Sequence, residues 1–232
     1  HFVATEDARS RVVQLGEEPW RVVVSGAPGL DTIRSCELLS RKELEKTCGI
    51  AIEVPTILVT YHPATLESKF TEQQVDNLLS AIDSAQVSAI FTYPNADAGH
   101  RMIIQKFEAF IDSRQRHAIF RNLGSRVYLS LLGCVSAMVG NSSSGIIEAA
   151  SFRLPVVNIG NRQRGRLCGD NVIHTGCETD GIGQAITRAL SVEFRDSLSD
   201  MLNPYGDGCA SGRIASTLRD IDVDDRLTVK KF

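Results

Sequence analysis

An α/β fold with a doubly wound, mostly parallel sheet is what this sequence predicts, on two observations. Short Val- and Ile-rich runs recur at residues 22–25, 57–61, 89–93, 118–121, 137–139, 155–159 and 171–174, and segments of helical spacing separate them. Strands alternating with helices of this length imply right-handed crossovers, which set parallel strands side by side beneath helices on both faces. In such sheets ligands bind beyond the carboxyl ends of the strands, so the loops following each strand are where chemistry is expected.

Taken in order, residues 1–5 read as a strand and 6–15 as the helix after it. The turn-rich Gly26-Ala27-Pro28-Gly29 reads as a domain junction, which assigns the first 25 residues to the end of a preceding domain. The chain opens without an initiator Met and without a basic start leading into an apolar signal core, so it reads as a piece of a longer protein. Residues 67–85 place Phe70, Val75, Leu78, Leu79 and Ile82 near one face, with acidic and amide residues opposite, as an amphipathic helix requires. Residues 102–110 and 127–135 read similarly. A second loop, Asn203-Pro204-Tyr205-Gly206-Asp207-Gly208, precedes a helix over 210–221 and a mixed-charge tail, so 26–202 is expected to be the main domain and 203–232 a closing segment. No repeat or low-complexity tract is evident.

With 232 residues and 43% apolar content, the chain can bury one substantial core, or a core plus part of a second domain. Its 25 basic and 28 acidic residues nearly cancel, leaving a formal charge of −3 and no general attraction to nucleic acid or a membrane surface. Any anion site must be built locally. No apolar run approaches the roughly 20 residues that span a bilayer. The six cysteines form no CxxC pair, as expected of reduced, packed thiols in a cytoplasmic protein. Cys168, His174 and Cys177 lack zinc spacing and a clear fourth ligand, so no metal is expected, and nothing calls for a cofactor.

The most informative segment is Val139-Gly140-Asn141-Ser142-Ser143-Ser144-Gly145-Ile146-Ile147-Glu148, a strand ending in a small polar loop that opens a helix. Free N–H groups at a helix start, the positive end of its dipole and nearby hydroxyls suit a phosphate, and small residues let it approach the backbone. Serines that only cap the helix are the plainer alternative. Glu148 lies four residues after Ser144, not the three of a capping box, which leaves its carboxylate for another task such as accepting ribose hydroxyls. After the next strand, Gly160-Asn161-Arg162-Gln163-Arg164-Gly165-Arg166 carries three arginines, a residue type that holds phosphate bidentately, although a solvated basic loop is also open. His62 follows an interior strand, where it is either structural or catalytic. In Tyr93-Pro94-Asn95-Ala96-Asp97-Ala98-Gly99, Asn95 and Asp97 are site candidates or helix caps.

In order and spacing these segments, with Tyr61-His62-Pro63, Gly26-Ala27-Pro28-Gly29-Leu30-Asp31 and Tyr205-Gly206-Asp207-Gly208, resemble hydrolysing UDP-N-acetylglucosamine 2-epimerases over nearly the whole chain. The resemblance implies the C-terminal, nucleotide-binding half of an enzyme with a two-domain glycosyltransferase-B architecture. Such an enzyme eliminates UDP from UDP-GlcNAc to give a glycal, then adds water with inversion at C2 to release N-acetylmannosamine, the entry step to sialic acid. Carried over by position, Ser142, Ser143 and Arg162 hold the UDP phosphates, Glu148 the ribose, and the backbone near Leu123 the uracil. Asn95 joins the UDP site, and His62 is the catalytic residue beside the diphosphate. The carboxylates that move protons at C2 lie in the family's N-terminal domain, so this chain is expected to bind UDP without turnover. A UDP-sugar is the implied partner and a homo-oligomer the implied assembly. Non-hydrolysing epimerases tend to carry an Asp-Ser-Gly-Gly type loop and a Thr-His-Arg type segment, where this chain has Asn141-Ser142-Ser143-Ser144 and Tyr61-His62-Pro63. Relatives acting on a diacetylated bacillosamine nucleotide share this layout. A glycosyltransferase of the same architecture and a non-catalytic nucleotide-binding module are the competing readings.

Overall fold

The computed structural model describes residues 1–112, 114 and 116–229, so Lys230, Lys231 and Phe232 of the expected 203–232 segment lie outside the described residues. In chain order the elements are β1 (Phe2–Val3), α1 (Glu6–Gln14), β2 (Val23–Val24), α2 (Gly29–Ser35), α3 (Arg41–Cys48), β3 (Thr56–Thr60), α4 (Thr71–Ala85), β4 (Ser88–Thr92), α5 (His100–Asp112) and β5 (His117–Phe120). They continue with α6 (Gly124–Leu132), β6 (Ala137–Gly140), α7 (Ser143–Ile147), β7 (Val156–Ile159), β8 (Val172–Thr175), α8 (Thr179–Leu190), α9 (Val192–Asp196), α10 (Ala210–Asp220) and α11 (Asp225–Thr228). These form two compact units, His1–Cys36 with Leu202–Phe232, and Glu37–Met201.

In the smaller unit β1 pairs parallel with β2. Thr5 caps α1 by accepting the Ala8 N–H, and Glu6 and Asp7 complement the positive end of the helix. Within the turn expected at residues 26–29, Gly26 (φ +88°) breaks the chain direction and Gly29 already opens α2. Asp31 on that helix accepts the N–H groups of Ala210 (2.9 Å) and Ser211 (2.6 Å), capping α10 from a distant part of the chain.

The larger unit holds a six-stranded, all-parallel sheet in the order β5-β4-β3-β6-β7-β8, the fold class expected from sequence. β3 and β6 are central and every residue of both is buried. Ile57 and Val59 join a core with Val75, Leu78 and Ile82 of α4, Phe107 of α5 and Ile182 and Ile186 of α8. The intervening Leu58, Ile90 and Met138 are buried as well, so both faces of the sheet are covered. The helix expected over 67–85 begins only at Thr71, because Thr65–Phe70 winds as 3₁₀ turns with a break at Glu67 (φ −117°, ψ 20°). α3 starts with a capping box between Ser40 and Glu43, a local signal the sequence reading passes over.

The order of the strands reverses between β3 and β6, and there their carboxyl ends touch. A Cβ at Gly140 (φ +140°) would stand 2.0 Å from Thr60 O. Gly140→Ala is therefore expected to cost more than about 3 kcal/mol in urea unfolding. Gly183→Ala, in the open interior of α8 where a Cβ meets nothing within 4 Å, should stabilise by about 0.5–1 kcal/mol. His117 supplies a second test. Its Nδ1 accepts the Ala89 N–H (3.1 Å), its ring stacks on Phe110, and burial first, then Arg116 and Arg114, lowers its pKa to about 4. The folded pKa lies below the ordinary 6.5, so the unfolded chain binds the extra proton and stability falls as pH drops from 6.5 to 4. Unfolding midpoints measured across that range should decline, and His117→Gln should flatten the decline.

Candidate functional site

The switch from β3 to β6 opens a crevice at the carboxyl ends of the central strands, where doubly wound sheets take their ligands. Asn141, 2% exposed, closes its floor. Its Oδ1 accepts the His62 N–H (2.7 Å) while its Nδ2 donates to His62 O (2.8 Å). Its own carbonyl accepts Arg162 Nη1 (3.1 Å) and Gln163 Nε2 (2.7 Å), and its N–H donates to Thr60 O (3.2 Å). From the loop after β4, Asn95 N–H donates to His62 Nδ1 (3.0 Å). The loops following β4, β3, β6 and β7, four adjacent strands, are thereby tied to one another.

His62 is neutral in this arrangement. Nδ1 is an acceptor, which places the ring proton on Nε2. Burial lowers the pKa of the imidazole to about 4, with Arg162 adding to the effect and Asp97 opposing it. Burial also holds the Arg162 guanidinium below its ordinary value, again against the pull of Asp97. Asn95 Nδ2 in turn donates to Asp97 Oδ2 (2.5 Å), while Asn95 Oδ1 is buried with no partner among the described residues.

Ser142, not Ser144, is the N-cap of α7: its Oγ accepts the Ser144 N–H (3.3 Å) and its carbonyl the Gly145 N–H (3.2 Å). Ser143 is the first residue of that short helix, and Glu148 ends it. Burial raises the Glu148 pKa, the Ser144 hydroxyl bond opposes the rise, and Oε2 has no partner among the described residues. Tyr128 OH donates to Ser144 Oγ (2.8 Å), and the same tyrosine lines a cleft of about 360 Å³ with Thr92, Phe120, Leu123, Gly124 and Ser125, beyond the ends of β4 and β5. Leu123 stands there as the N-cap of α6.

The structure thus gathers His62, Asn95 and Arg162 around Asn141, with Ser142 and Ser143 next in the chain. Glu148 and Leu123 fall on the Tyr128 side of the serine loop. The three arginines part company: Arg162 turns to Asn141, whereas Arg164 and Arg166 line a separate cleft of about 740 Å³ with Glu67, His174 and Cys177, beyond β7 and β8. Sequence reasoning misses Asn141, Gln163 and Tyr128 as site residues. Asn141 and Gln163 lie inside segments it singles out, but their burial depends on contacts far along the chain.

A profile of the UDP-N-acetylglucosamine 2-epimerase family matches residues 1–219. The chain is 38% identical over 230 residues to a Campylobacter jejuni GDP/UDP-N,N'-diacetylbacillosamine 2-epimerase (hydrolyzing), covering 98% of this chain and 59% of that protein. It is 34% identical over 232 residues to a Neisseria meningitidis UDP-N-acetylglucosamine 2-epimerase, covering 100% of this chain and 60% of that protein. The fold is similar to that of the Neisseria meningitidis UDP-GlcNAc 2-epimerase solved with UDP-GlcNAc bound, at TM-score 0.71 and 20% identity, covering 95% of this chain and 60% of that one. The chain therefore spans about 60% of the length of the curated relatives it matches.

The electrostatic pairings predict opposite shifts at His62. Arg162→Gln removes a charge that disfavours the imidazolium, so the His62 pKa should rise from about 4 toward its ordinary value; Asp97→Asn should lower it further. NMR titration of the imidazole resonances reads both, and an unchanged pKa in both variants would mean that burial alone sets it.

Proposed function

The chain belongs to the UDP-N-acetylglucosamine 2-epimerase family, and from that membership we propose that it supplies the UDP-binding half of a hydrolysing 2-epimerase. On this reading the parent enzyme expels UDP from UDP-GlcNAc, forming a glycal with a C1=C2 double bond, and adds water across that bond, hydroxyl to C1 and a proton to the opposite face of C2, to release N-acetylmannosamine. The observation that carries the reading is the joining of His62, Arg162 and the serine loop at the sheet's switch point through Asn141. Departing UDP gathers negative charge on its terminal phosphate, and donors already aimed at it stabilise that charge without reorganising during the reaction.

Each residue then has a task. Arg162 carries the positive charge, and Ser142 and Ser143 offer hydroxyls and backbone N–H groups. His62 acts as a neutral donor through Nε2–H, since Nδ1 is already engaged by Asn95. Glu148 accepts ribose hydroxyls at its unpartnered oxygen, and the Leu123 cleft takes the uracil. The carboxylates that move the C2 proton belong to the N-terminal domain. The smaller unit holds the last strand and helix of that domain and the segment returning to it. The six cysteines, all free, suit the reducing cytoplasm, and on this reading the parent enzyme assembles as a homo-oligomer.

A second reading, favoured by the name of the Campylobacter jejuni relative, is that the parent enzyme acts on a UDP-diacetylbacillosamine. Assaying the longer protein with both sugar nucleotides separates the two, the true substrate being the one turned over with release of UDP. For this chain alone, calorimetric titration with UDP should show binding. Arg162→Ala and Glu148→Ala should each weaken it about tenfold or more, the worth of a charge-assisted bond, and incubation of this chain with UDP-GlcNAc should release no sugar. A folded chain that binds no UDP would overturn the assignment of the serine loop.

A further inference from the structure

Asn141 uses each of its four hydrogen-bonding groups on the site or on the strand beneath it. Its side-chain amide makes a reciprocal pair with the backbone of His62. Its carbonyl receives Arg162 and Gln163, and its N–H anchors to Thr60. Among side chains of this reach only the amide offers a donor and an acceptor without having to bind a proton, so the chemistry of position 141 is narrowly set. The residue is also neutral, so it orders a cation and an imidazole without adding charge to an anion site.

We propose that Asn141 is the positioning residue of the phosphate site, fixing His62 and Arg162 relative to each other so that both face one anionic group. This rests on the UDP-binding reading above. Asn141 does not itself touch the phosphate; it acts through the two residues that do. On that same reading the nucleoside takes the cleft lined by Tyr128 and Leu123, across the serine loop, and its binding does not depend on Asn141. Asn141→Asp keeps the acceptor for His62 N–H but, in its ionised form, turns a second oxygen toward His62 O, converting a 2.8 Å hydrogen bond into a repulsion.

The test compares UDP with uridine, which lacks the phosphates, on the wild-type chain, Asn141→Asp and Asn141→Ser; the serine variant drops the amide pair without adding charge and stands in if the aspartate variant does not fold. UDP affinity should fall about tenfold or more in the variants, with uridine affinity within about twofold of wild type. An equal loss of both ligands, or no loss of either, would overturn the proposal in favour of a purely structural role. The ¹⁵N resonances of His62 provide a readout that needs no ligand: wild type should show Nδ1 unprotonated and hydrogen-bonded, and in the variants the released His62 backbone should draw the ring from the Asn95 N–H and shift the Nδ1 resonance. Unchanged resonances would also overturn it. Should wild type fail to bind UDP, the functional reading falls while the His62 spectra still decide the role of Asn141.

Discussion

The carboxyl ends of β3 and β6 meet backbone against backbone, and the geometry of the larger unit's site follows from that contact. Reversing strand order at this point puts two successive halves of the sheet side by side with no helix between them. Gly140 allows the approach, since any side chain would have to occupy the space of Thr60 O. Once the strands are that close, Asn141 N–H reaches Thr60 O and its amide reaches His62, so one steric condition sets the spacing of both loops. β3 and β6 are buried throughout, so no solvent face selects their register, which is defined by the pairing of Ile57 with Ala137 through Thr60 with Gly140.

The smaller unit solves a related problem, since its two segments are separated by the whole of the larger unit's sequence. A Cβ at Gly206 would stand 3.2 Å from Gly26 Cα and one at Gly26 3.6 Å from Gly206 Cα, and Ala27 N–H bonds Tyr205 O (2.8 Å). Asp31 caps α10, and Asp207 grips Arg213 through two bonds of 2.8 and 2.7 Å, which holds the Asp207 pKa near 2. The two Gly-rich segments at opposite ends of the sequence are thus halves of one turn-and-cap structure.

The parallel sheet is legible in the sequence because its signal is local: runs of three to five mostly apolar residues recur between helical segments, too short for buried helices and suited to pairing as strands. Boundaries are less so, and the reasons differ. Residues 67–70 share the helical pattern of α4, yet the Glu67 carboxylate accepts Gln74 Nε2 and Asn161 Nδ2, and the chain leaves helical geometry there to reach them. α2 is hidden by the Gly and Pro that precede it. In the site, single positions such as Ser142 and Arg162 stand out by composition, whereas Asn141 acquires its place from His62, 79 residues away, a separation no local pattern encodes.

On the proposed reading, a chain of net charge −3 that takes a diphosphate has to make its positive field locally. Placing two cations at one phosphate would raise the problem of their mutual repulsion in the ligand-free crevice. The larger unit avoids this by pairing one cation with one neutral donor: burial and Arg162 together keep His62 deprotonated, and the Asn95 N–H occupies its basic nitrogen. The same burial that neutralises His62 raises the pKa of Glu148 on the far side of the serine loop, where one oxygen lacks a partner. Burial thus acts in opposite chemical directions on the two residues, turning a base into a donor and leaving a carboxylate in need of hydroxyl groups. A ligand with an anionic end and a hydroxylated middle answers both conditions at once, and a nucleoside diphosphate has that order of groups.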